Sequence, residues 1–375
     1  MIGRDIVEQI LKVFWLFPIK ANRIVFRSAQ GTKYNCNPKY ISEYIEKNYP
    51  GKFQIIWLFD NPEQYSFLRD RGIFCVKQKS PAGIFYSITA KFLIDNHGVQ
   101  SYIPIRAKQI VINTWHGGGS YKKSYANHTK QHIQYVKKMN RETTLFLSSC
   151  ERFSKCNLKA QYDNHPEKIM GTGMARNDLF FHPTDEKRKE AIKHALGIPY
   201  DKKVLLYAPT FRDDVSEENY NIDVDKLLDA CEKRFGGEFI LAVRFHRFAH
   251  NAELGSTSEK IINVNDYDDM QEIIYVSDVV ISDYSSLIWD VSIAHKPCFI
   301  YAMDLKKYLE DRNFYTPISE WPFPLAESMD GLIENILCFD AQQYEEQVAE
   351  HHKALGSYET GTAAKQIADY LVGNI

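Results

Sequence analysis

The chain has 375 residues and a formal net charge of −2, from 46 lysines and arginines against 48 aspartates and glutamates. This length predicts two domains, because a single hydrophobic core usually stops growing before this size, and the near-neutral charge gives no sign of a nucleic-acid partner. Seven cysteines without a CxxC pair indicate reduced thiols rather than a disulfide framework or a zinc site.

Residues 2–17 have the apolar spacing of an amphipathic helix, which Pro18 is expected to end. The apolar face consists of Ile6, Ile10, Val13, Phe14 and Phe17. Two interpretations stay open: this helix packs on its own domain, or it lies on a membrane surface with Trp15 among the lipid headgroups.

Strand-like and helix-like segments alternate along the rest of the chain. The predicted strands are 23–27, 54–59, 91–95, 109–114, 203–208, 238–244, 279–282 and 298–301, and the predicted helices are 39–48, 62–71, 225–234, 270–275 and 287–294. Such alternation is typical of parallel sheets covered by helices. We therefore predict an α/β fold of two Rossmann-like domains, residues 1–178 and 183–375, which face each other across a cleft that binds ligands.

The motif Thr-Trp-His-Gly-Gly-Gly-Ser-Tyr-Lys-Lys at residues 114–123 directly follows a predicted strand. Imidazole titrates near neutral pH, so His116 is a candidate base for an attacking hydroxyl group. Gly117 and Gly118 allow close approach of the backbone to a ligand, and Lys122 adds positive charge. The alternative is a loop histidine that caps backbone groups.

Two further polar motifs follow predicted strands in the second half. Asp283, Ser285 and Ser286 lie in a turn that leads into a helix, where hydroxyl and N–H groups bind phosphate well. Arg244 and His246 follow another strand and suit a diphosphate. A plain serine cap and a solvated basic edge are the respective alternatives.

Two remaining motifs have weaker signals. Residues 171–178 fail as a dinucleotide fingerprint, because Arg176 occupies the third glycine position, and they fit an inter-domain turn with Arg176 and Asp178 at its tip. Residues 207–214 place Arg212 beside two carboxylates, for which a solvated turn is the favoured interpretation. The sequence shows no metal-ligand cluster, and we expect neither a metal nor a cofactor.

In their order along the chain, these motifs resemble the CDP-glycerol glycerophosphotransferase family, which builds teichoic acids and related capsules. The matching positions are Ser28, Gly31, Tyr34, 37–39, 115–117, 173–178, 207–212, 244–246, 282–286 and Gly361, within about residues 23–370. The family usually has His-Gly-Thr-Pro where this chain has three glycines after His116. This departure concerns the acceptor side more than the reaction.

The resemblance implies a GT-B-like fold and transfer of glycerol phosphate, or a related polyol phosphate, from CDP-glycerol to a hydroxyl acceptor with release of CMP. It implies that His116 is the base and that His246 contacts the donor phosphate. Donor binding would fall to Arg212, Arg244, Asp283, Ser285 and Ser286. The acceptor-side or structural candidates are Gly117, Gly118, Lys122, Arg176 and Asp178. The choice between glycerol and ribitol stays open.

The implied partners are a CDP-polyol donor, a lipid-linked or glycan acceptor and an anionic membrane surface, without nucleic acid. Because the sequence lacks a spanning apolar run and a signal peptide, we expect a cytoplasmic protein that is peripheral at the inner face of the membrane. Contact would come from the N-terminal helix and a basic stretch. That stretch comprises Lys122, Lys123, Lys130, Lys137, Lys138 and Arg141. The main alternative activity is that of a GT-B glycosyltransferase using a nucleotide sugar, and a non-catalytic assembly subunit is a second alternative.

Overall fold

The computed structural model describes residues 2–123, 130–161, 166–210, 222–245, 259–311 and 313–375. The chain forms two compact units. The first unit contains Met1–His116, Tyr125–Asp178 and Tyr358–Ile375, and the second contains Gly117–Ser124 and Leu179–Ser357. The chain therefore passes from the first unit to the second directly after His116, and again after Asp178.

The described part of the first unit is built on a parallel sheet of seven strands. In chain order they are β1 (Lys20–Arg27), β2 (Gln54–Phe59), β3 (Phe74–Lys77), β4 (Ala90–Asp95), β5 (Ile110–Asn113), β6 (Leu145–Ser148) and β7 (Ile169–Gly171). Their order across the sheet is β3-β2-β1-β4-β5-β6-β7. Because β1 pairs with β4, the winding reverses between these two strands, and their carboxyl ends open the crevice where such sheets bind ligands.

The described part of the second unit has the same plan with six parallel strands. They are β8 (Lys203–Ala208), β9 (Phe239–Val243), β10 (Ile261–Asn263), β11 (Val279–Ser282), β12 (Cys298–Tyr301) and β13 (Leu325–Ala326). Their order is β10-β9-β8-β11-β12-β13, so the reversal lies between β8 and β11. The expected α/β fold with two parallel sheets is confirmed.

Helices connect and cover the strands. They are α1 (Ile2–Leu11), α2 (Cys36–Asn48), α3 (Pro81–Thr89), α4 (Lys130–Glu142), α5 (Glu151–Phe153), α6 (Glu186–Ala195), α7 (Val224–Phe235), α8 (Met270–Val276), α9 (Leu287–Ile293), α10 (Leu305–Asp311), α11 (Met329–Leu337), α12 (Ala341–Leu355) and α13 (Ala363–Val372). Strands covered on both faces read as continuous apolar runs. In β2, for example, Trp57 is fully buried and stacks on Phe26 and Phe59.

The expected N-terminal helix over residues 2–17 is only partly correct. The α-helix ends at Leu11 and continues as a 3₁₀ turn over Lys12–Leu16. Phe17 is extended, with φ −85° and ψ 140°, because Pro18 disfavours the helical conformation of the preceding residue.

The compact units differ from the expected domains, 1–178 and 183–375, in two segments: Tyr358–Ile375 belongs to the first unit, and Gly117–Ser124 belongs to the second. The carboxylate of Asp178 accepts hydrogen bonds from the backbone N–H groups of Ala363 (3.0 Å) and Ala364 (2.8 Å) at the start of α13. The backbone N–H of Tyr358 donates to the Ser149 carbonyl at 2.9 Å. These hydrogen bonds attach the C-terminal segment, including the start of α13, to residues of the first unit.

Candidate active site

A strained turn at the carboxyl end of β5 presents His116. The Asn113 side-chain oxygen accepts a hydrogen bond from the Trp115 N–H at 3.0 Å, and the Asn37 amide donates to the carbonyl oxygens of Thr114 (2.9 Å) and Trp115 (3.2 Å). Trp115 has a φ of 56°, which is rare for a bulky residue. Such strain persists only where the surroundings fix it, which these side-chain bonds do.

The tautomer of His116 follows from its hydrogen bond. Its Nδ1 lies 2.9 Å from the carbonyl oxygen of Asn96. A carbonyl only accepts, so Nδ1 carries the proton and Nε2 has a lone pair in the neutral ring. The sequence prediction of a possible proton acceptor is therefore compatible with the local geometry.

The surroundings of His116 favour its neutral form. Desolvation, followed by the neighbouring charge of His97, lowers the pKa of His116 to about 3. The residue is exposed to solvent, so water moderates the desolvation. An imidazole that stays neutral keeps its Nε2 available as a base.

Two aromatic rings stack on His116. The His97 ring is nearly parallel to it, with centroids 4.2 Å apart and an interplanar angle of 7°, and the Trp115 ring is stacked at 5.3 Å and 17°. Sequence reasoning missed His97. The available signal was its place directly after β4, as His116 comes soon after the neighbouring strand β5.

A buried ion pair holds the ends of β1 and β4 together. The Arg27 guanidinium contacts the Asp95 carboxylate through Nε and donates through Nη2 to the Gly98 carbonyl at 2.6 Å. Asp95 also accepts a hydrogen bond from the backbone N–H of His97 at 2.7 Å. The pair therefore fixes the segment that carries His97 at the reversal point of the first sheet.

Arg176 and Asp178, the candidates from the inter-domain turn, make structural contacts. Arg176 is 2% exposed, and its backbone N–H donates to the Asn37 side-chain oxygen at 3.1 Å. Its charge also lowers the pKa of His116, after the larger effects of desolvation and His97. Asp178 caps α13, as described above.

The glycine motif after His116 belongs to the second unit, where Trp289 occupies the neighbouring space. A methyl group added at Gly118 would lie 2.4 Å from Trp289 Cδ1, and one at Gly119 would lie 2.3 Å from Tyr121 Cε2. Gly119 also has a φ of 74°, which favours glycine. These contacts explain why positions 118 and 119 of this chain are glycines, where the family that the sequence resembles usually has Thr-Pro. Gly117 is buried.

Backbone hydrogen bonds hold the end of the glycine motif against residues 314–315 of the same unit. Lys122 forms an antiparallel bridge with Phe314, and the Tyr315 N–H donates to the Tyr121 carbonyl at 2.7 Å. Lys122 is half-buried. Its backbone thus has a structural role beside the acceptor-side role predicted for its side chain.

Asp283 joins two strand ends at the reversal point of the second sheet. Both of its carboxylate oxygens lie 2.9 Å from the Thr210 N–H, and Thr210 follows β8 while Asp283 follows β11. Asp283 is 1% exposed. Its carboxylate therefore orders the turn that carries Ser285 and Ser286.

Of the other donor-side candidates, the structure describes Ser285, Ser286 and Arg244. Ser286 precedes the seven-residue helix α9, and Ser285 Oγ accepts from the Leu287 N–H at 3.3 Å. Arg244 Nη1 donates to the Tyr267 carbonyl at 2.8 Å, and burial lowers the pKa of Arg244. Part of this guanidinium therefore holds the loop after β10. Arg212 and His246 lie outside the described residues.

A metal site was not expected, and the described ranges contain no group of three or more His, Cys, Asp or Glu side chains placed to hold a metal ion. The chemistry that the described residues themselves offer is proton acceptance at His116 together with a polar turn at Asp283. His116 follows β5, the neighbour of β4 at the reversal of the first sheet, and Asp283 follows β11, which borders the reversal of the second sheet.

Comparisons with known proteins agree with these motifs. The family model "CDP-glycerol:poly(glycerophosphate) glycerophosphotransferase" matches residues 9–373. A teichoic acid poly(glycerol phosphate) polymerase of Staphylococcus epidermidis is 32% identical over 94% of this chain, and the chain spans about half of that protein's length (51%). A teichoic acid glycerol-phosphate transferase of Staphylococcus aureus is 27% identical, with 92% of each chain covered. The solved structure of the wall teichoic acid polymerase TagF superposes with a TM-score of 0.82 at 28% identity, covering 98% of this chain and 93% of that one.

Proposed function

Because the chain belongs to the CDP-glycerol:poly(glycerophosphate) glycerophosphotransferase family, we propose that it transfers glycerol phosphate from CDP-glycerol to a hydroxyl acceptor and releases CMP. The observation that carries the proposal is His116, whose Nδ1 is bonded to the Asn96 carbonyl and whose Nε2 has a lone pair. The similarity to glycerol phosphate polymerases and transferases supports the choice of donor.

In the proposed reaction, the acceptor oxygen attacks the β-phosphorus of CDP-glycerol in line, and its proton passes to Nε2 of His116. The bond between the β-phosphorus and the bridging oxygen breaks, and CMP leaves with that oxygen. Little covalent chemistry falls to the protein, so alignment and charge stabilisation dominate. We assign donor binding to Arg212, Arg244, His246, Ser285 and Ser286, and acceptor-side contacts to Gly117, Gly118 and Lys122.

The test is incubation with CDP-glycerol, CDP-ribitol or a nucleotide sugar, each with lipid-linked and soluble glycerol phosphate acceptors. We expect CMP and an acceptor extended by glycerol phosphate, detected by mass spectrometry. His116→Asn should lower turnover about 10²–10⁴-fold, because it removes the base, while calorimetry should show nearly unchanged CDP-glycerol binding. Release of a nucleoside diphosphate with a glycoside formed would instead establish the glycosyltransferase alternative.

We further propose that the acceptor is lipid-linked and that α1 with the following 3₁₀ turn contacts an anionic membrane. One side of this segment packs inward, where Leu11 and Phe14 meet Ile88 and Ile103. The other side exposes large apolar side chains. They are Ile6, Val7, Ile10, Val13, Trp15, Leu16 and Phe17, of which Leu16 is 85% exposed. The inward side fits the first interpretation of the sequence, packing on the domain, and the membrane contact is proposed for the other side.

Basic groups border this apolar surface. Lys12 and Arg106 lie over the Trp15 ring, at 5.4 and 6.0 Å from its centroid, an arrangement suited to the headgroup region. On α4, Lys137 and Arg141 are exposed beside the exposed Ile133. No described helix is long and apolar enough to span a bilayer, so the proposed contact is with the surface.

The basic stretch needs one correction. Lys138 is bonded to Glu8 of α1 (2.8 Å) and to Glu142 (2.7 Å), so it ties α1 to α4 and is a poor membrane contact. The side chain of Lys130 lies outside the described residues. Lys137 and Arg141 are accordingly the better choices for charge reversal.

Liposome flotation tests the membrane proposal. The wild type should float with anionic vesicles at low salt, and the Ile10→Asp/Leu16→Asp variant should not. Lys137→Glu/Arg141→Glu should weaken flotation, because each basic group near an anionic leaflet contributes about 1 kcal/mol. The matched control is Phe67→Asp/Phe74→Asp, which charges two exposed aromatic residues elsewhere on the same unit. Equal loss in this control, or equal recovery with neutral vesicles, would contradict a specific surface.

A further inference from the structure

Asn96 binds two stacked imidazoles at once. Its backbone carbonyl lies 2.9 Å from Nδ1 of His116, and its side-chain oxygen lies 2.8 Å from Nδ1 of His97. That side-chain oxygen also accepts from the Ala29 N–H at 3.0 Å, which identifies it as the oxygen and not the nitrogen of the amide. Both rings therefore carry their proton on Nδ1 when neutral, and both have a lone pair on Nε2.

We propose that His97 is a positioning residue for His116: it holds the His116 ring by stacking and takes up the first proton that the pair binds, so that His116 stays neutral under mildly acidic conditions. The inference rests on the proposed function of His116 as the base.

The geometry makes two protons on the pair unfavourable. With centroids 4.2 Å apart, two imidazolium rings would repel each other, and such coupled groups titrate in two separated steps. The guanidinium of Arg176 adds to the cost of a charge on His116, whereas the Asp95 carboxylate partly offsets it. The negative charge of Asp95 is in turn offset by Arg27, with which it forms an ion pair. The positive charge of His97 is the largest charge effect that lowers the pKa of His116. The first proton of the stacked pair is therefore placed on His97.

The described groups that face the pair come from α4, β1, β4 and the segment after β7. From α4, the hydroxyl group of Tyr135 donates to the His97 carbonyl at 2.7 Å, and burial raises the pKa of Tyr135, so it stays neutral. From β1 and β4 come Arg27 and Asp95, and from the segment after β7 comes Arg176.

The first arm of the test is the pH dependence of CMP release by the wild type, His97→Phe and His97→Gln. Phenylalanine keeps an aromatic ring in the stack but cannot take a proton, and glutamine keeps a donor for Asn96. In both variants the acid limb should move to higher pH by about one unit, which corresponds to a tenfold loss of neutral His116 at a given acidic pH. A purely structural role would lower the rate equally at every pH.

The second arm needs no turnover. In ¹⁵N-histidine NMR, His116 should show the Nδ1–H form in the wild type and should become protonated at a higher pH in both His97 variants. This arm separates the two proposals, because the His116 titration can shift even if CDP-glycerol is not the donor. An unchanged His116 titration in both variants would overturn the role of His97.

Discussion

Gly118 and Trp289 are matched by size. The Trp289 ring is fully buried and fills the space that a side chain at Gly118 would need. We predict that Gly118→Ala lowers the free energy of unfolding by about 1–3 kcal/mol, the usual cost of overpacking, as measured by urea denaturation. Combining it with Trp289→Phe should cost less than the sum of the two single changes, because the smaller ring makes room for the methyl group.

Gly197 provides the control for backbone strain in this comparison. Gly119 and Gly197 have nearly the same φ, 74° and 71°, but a methyl group at Gly197 would meet nothing within 4 Å. Gly119→Ala should therefore destabilise the protein more than Gly197→Ala. Equal losses would show that backbone strain, and not packing against Tyr121 and Trp289, explains the glycine.

Ser285 and Ser286 offer hydroxyl groups at the turn that Asp283 orders. We predict that Ser285→Ala/Ser286→Ala weakens CDP-glycerol binding about 5–10-fold, since a hydrogen bond contributes roughly 1 kcal/mol and the backbone N–H groups remain. The apparent affinity for the acceptor should change little. Calorimetry measures the donor affinity, with Ser277→Ala as the control, because that hydroxyl bonds only within its own helix region to the Ile273 carbonyl. Unchanged donor affinity would exclude this turn as the phosphate site.

At the scale of elements, Asp178 lies where the chain leaves the first unit, and its side chain binds the start of the last helix, α13. Its two carboxylate oxygens each accept an N–H at the start of α13. We predict that Asp178→Ala costs about 1–2 kcal/mol of local stability, the usual range for a lost helix cap, and that amide exchange speeds up across Ala363–Val372. Asp178→Asn should have a smaller effect, because one acceptor oxygen remains.

The matched control is Asp185→Ala, which removes the side-chain cap of α6 by freeing the Arg188 N–H. It should speed exchange in α6 but not in α13. If both variants change α13 alike, or neither does, the return of the C-terminal segment does not depend on Asp178.

Most strands with a continuous apolar run could be predicted from the sequence, and the edge strands could not. Segments 54–59, 203–208, 279–282 and 298–301 were predicted at their observed limits, because burial on both faces requires a continuous apolar run. Five strands were missed: the edge strands β3, β7, β10 and β13, which have two to four residues and are incompletely buried, and the inner strand β6, which has four residues. The return of α13 was also missed, since an amphipathic pattern does not identify the surface on which a helix packs.

At the scale of the whole chain, the same winding plan occurs twice, and in both units the first strand borders the reversal point. Sequence reasoning found His116 and Asp283 because polar residues after an apolar strand stand out. It missed His97 and Asn96, whose contacts with His116 depend on the pairing of β4 with β5, the two strands that these residues follow. The local sequence pattern therefore identified candidate side chains, but the order of the strands in the sheet was needed to identify the residues that contact them.

Two neighbouring histidines of α12 make the stability of the fold dependent on pH. His351 is buried with its Nε2 3.0 Å from the Tyr121 hydroxyl, and His352 is half-buried with its Nε2 2.8 Å from Ser292 Oγ. Desolvation lowers the pKa of each to about 4. In the unfolded chain both should titrate near 6.5, so the unfolded state binds more protons between these values.

We therefore predict that their contribution to stability is complete above about pH 6.5, falls as the pH drops and is lost near pH 4, by roughly 2–3 kcal/mol for each histidine. Urea denaturation at several pH values should show that His351→Gln/His352→Gln flattens this part of the curve. His182→Gln, at an exposed position, should leave the curve as in the wild type. If the double variant keeps the full acid-dependent loss, other groups cause it. If it flattens the curve, the helix that supports Tyr121 and Trp289 beside the glycine motif loosens in acid, and activity at low pH is limited by folding as well as by the protonation of His116.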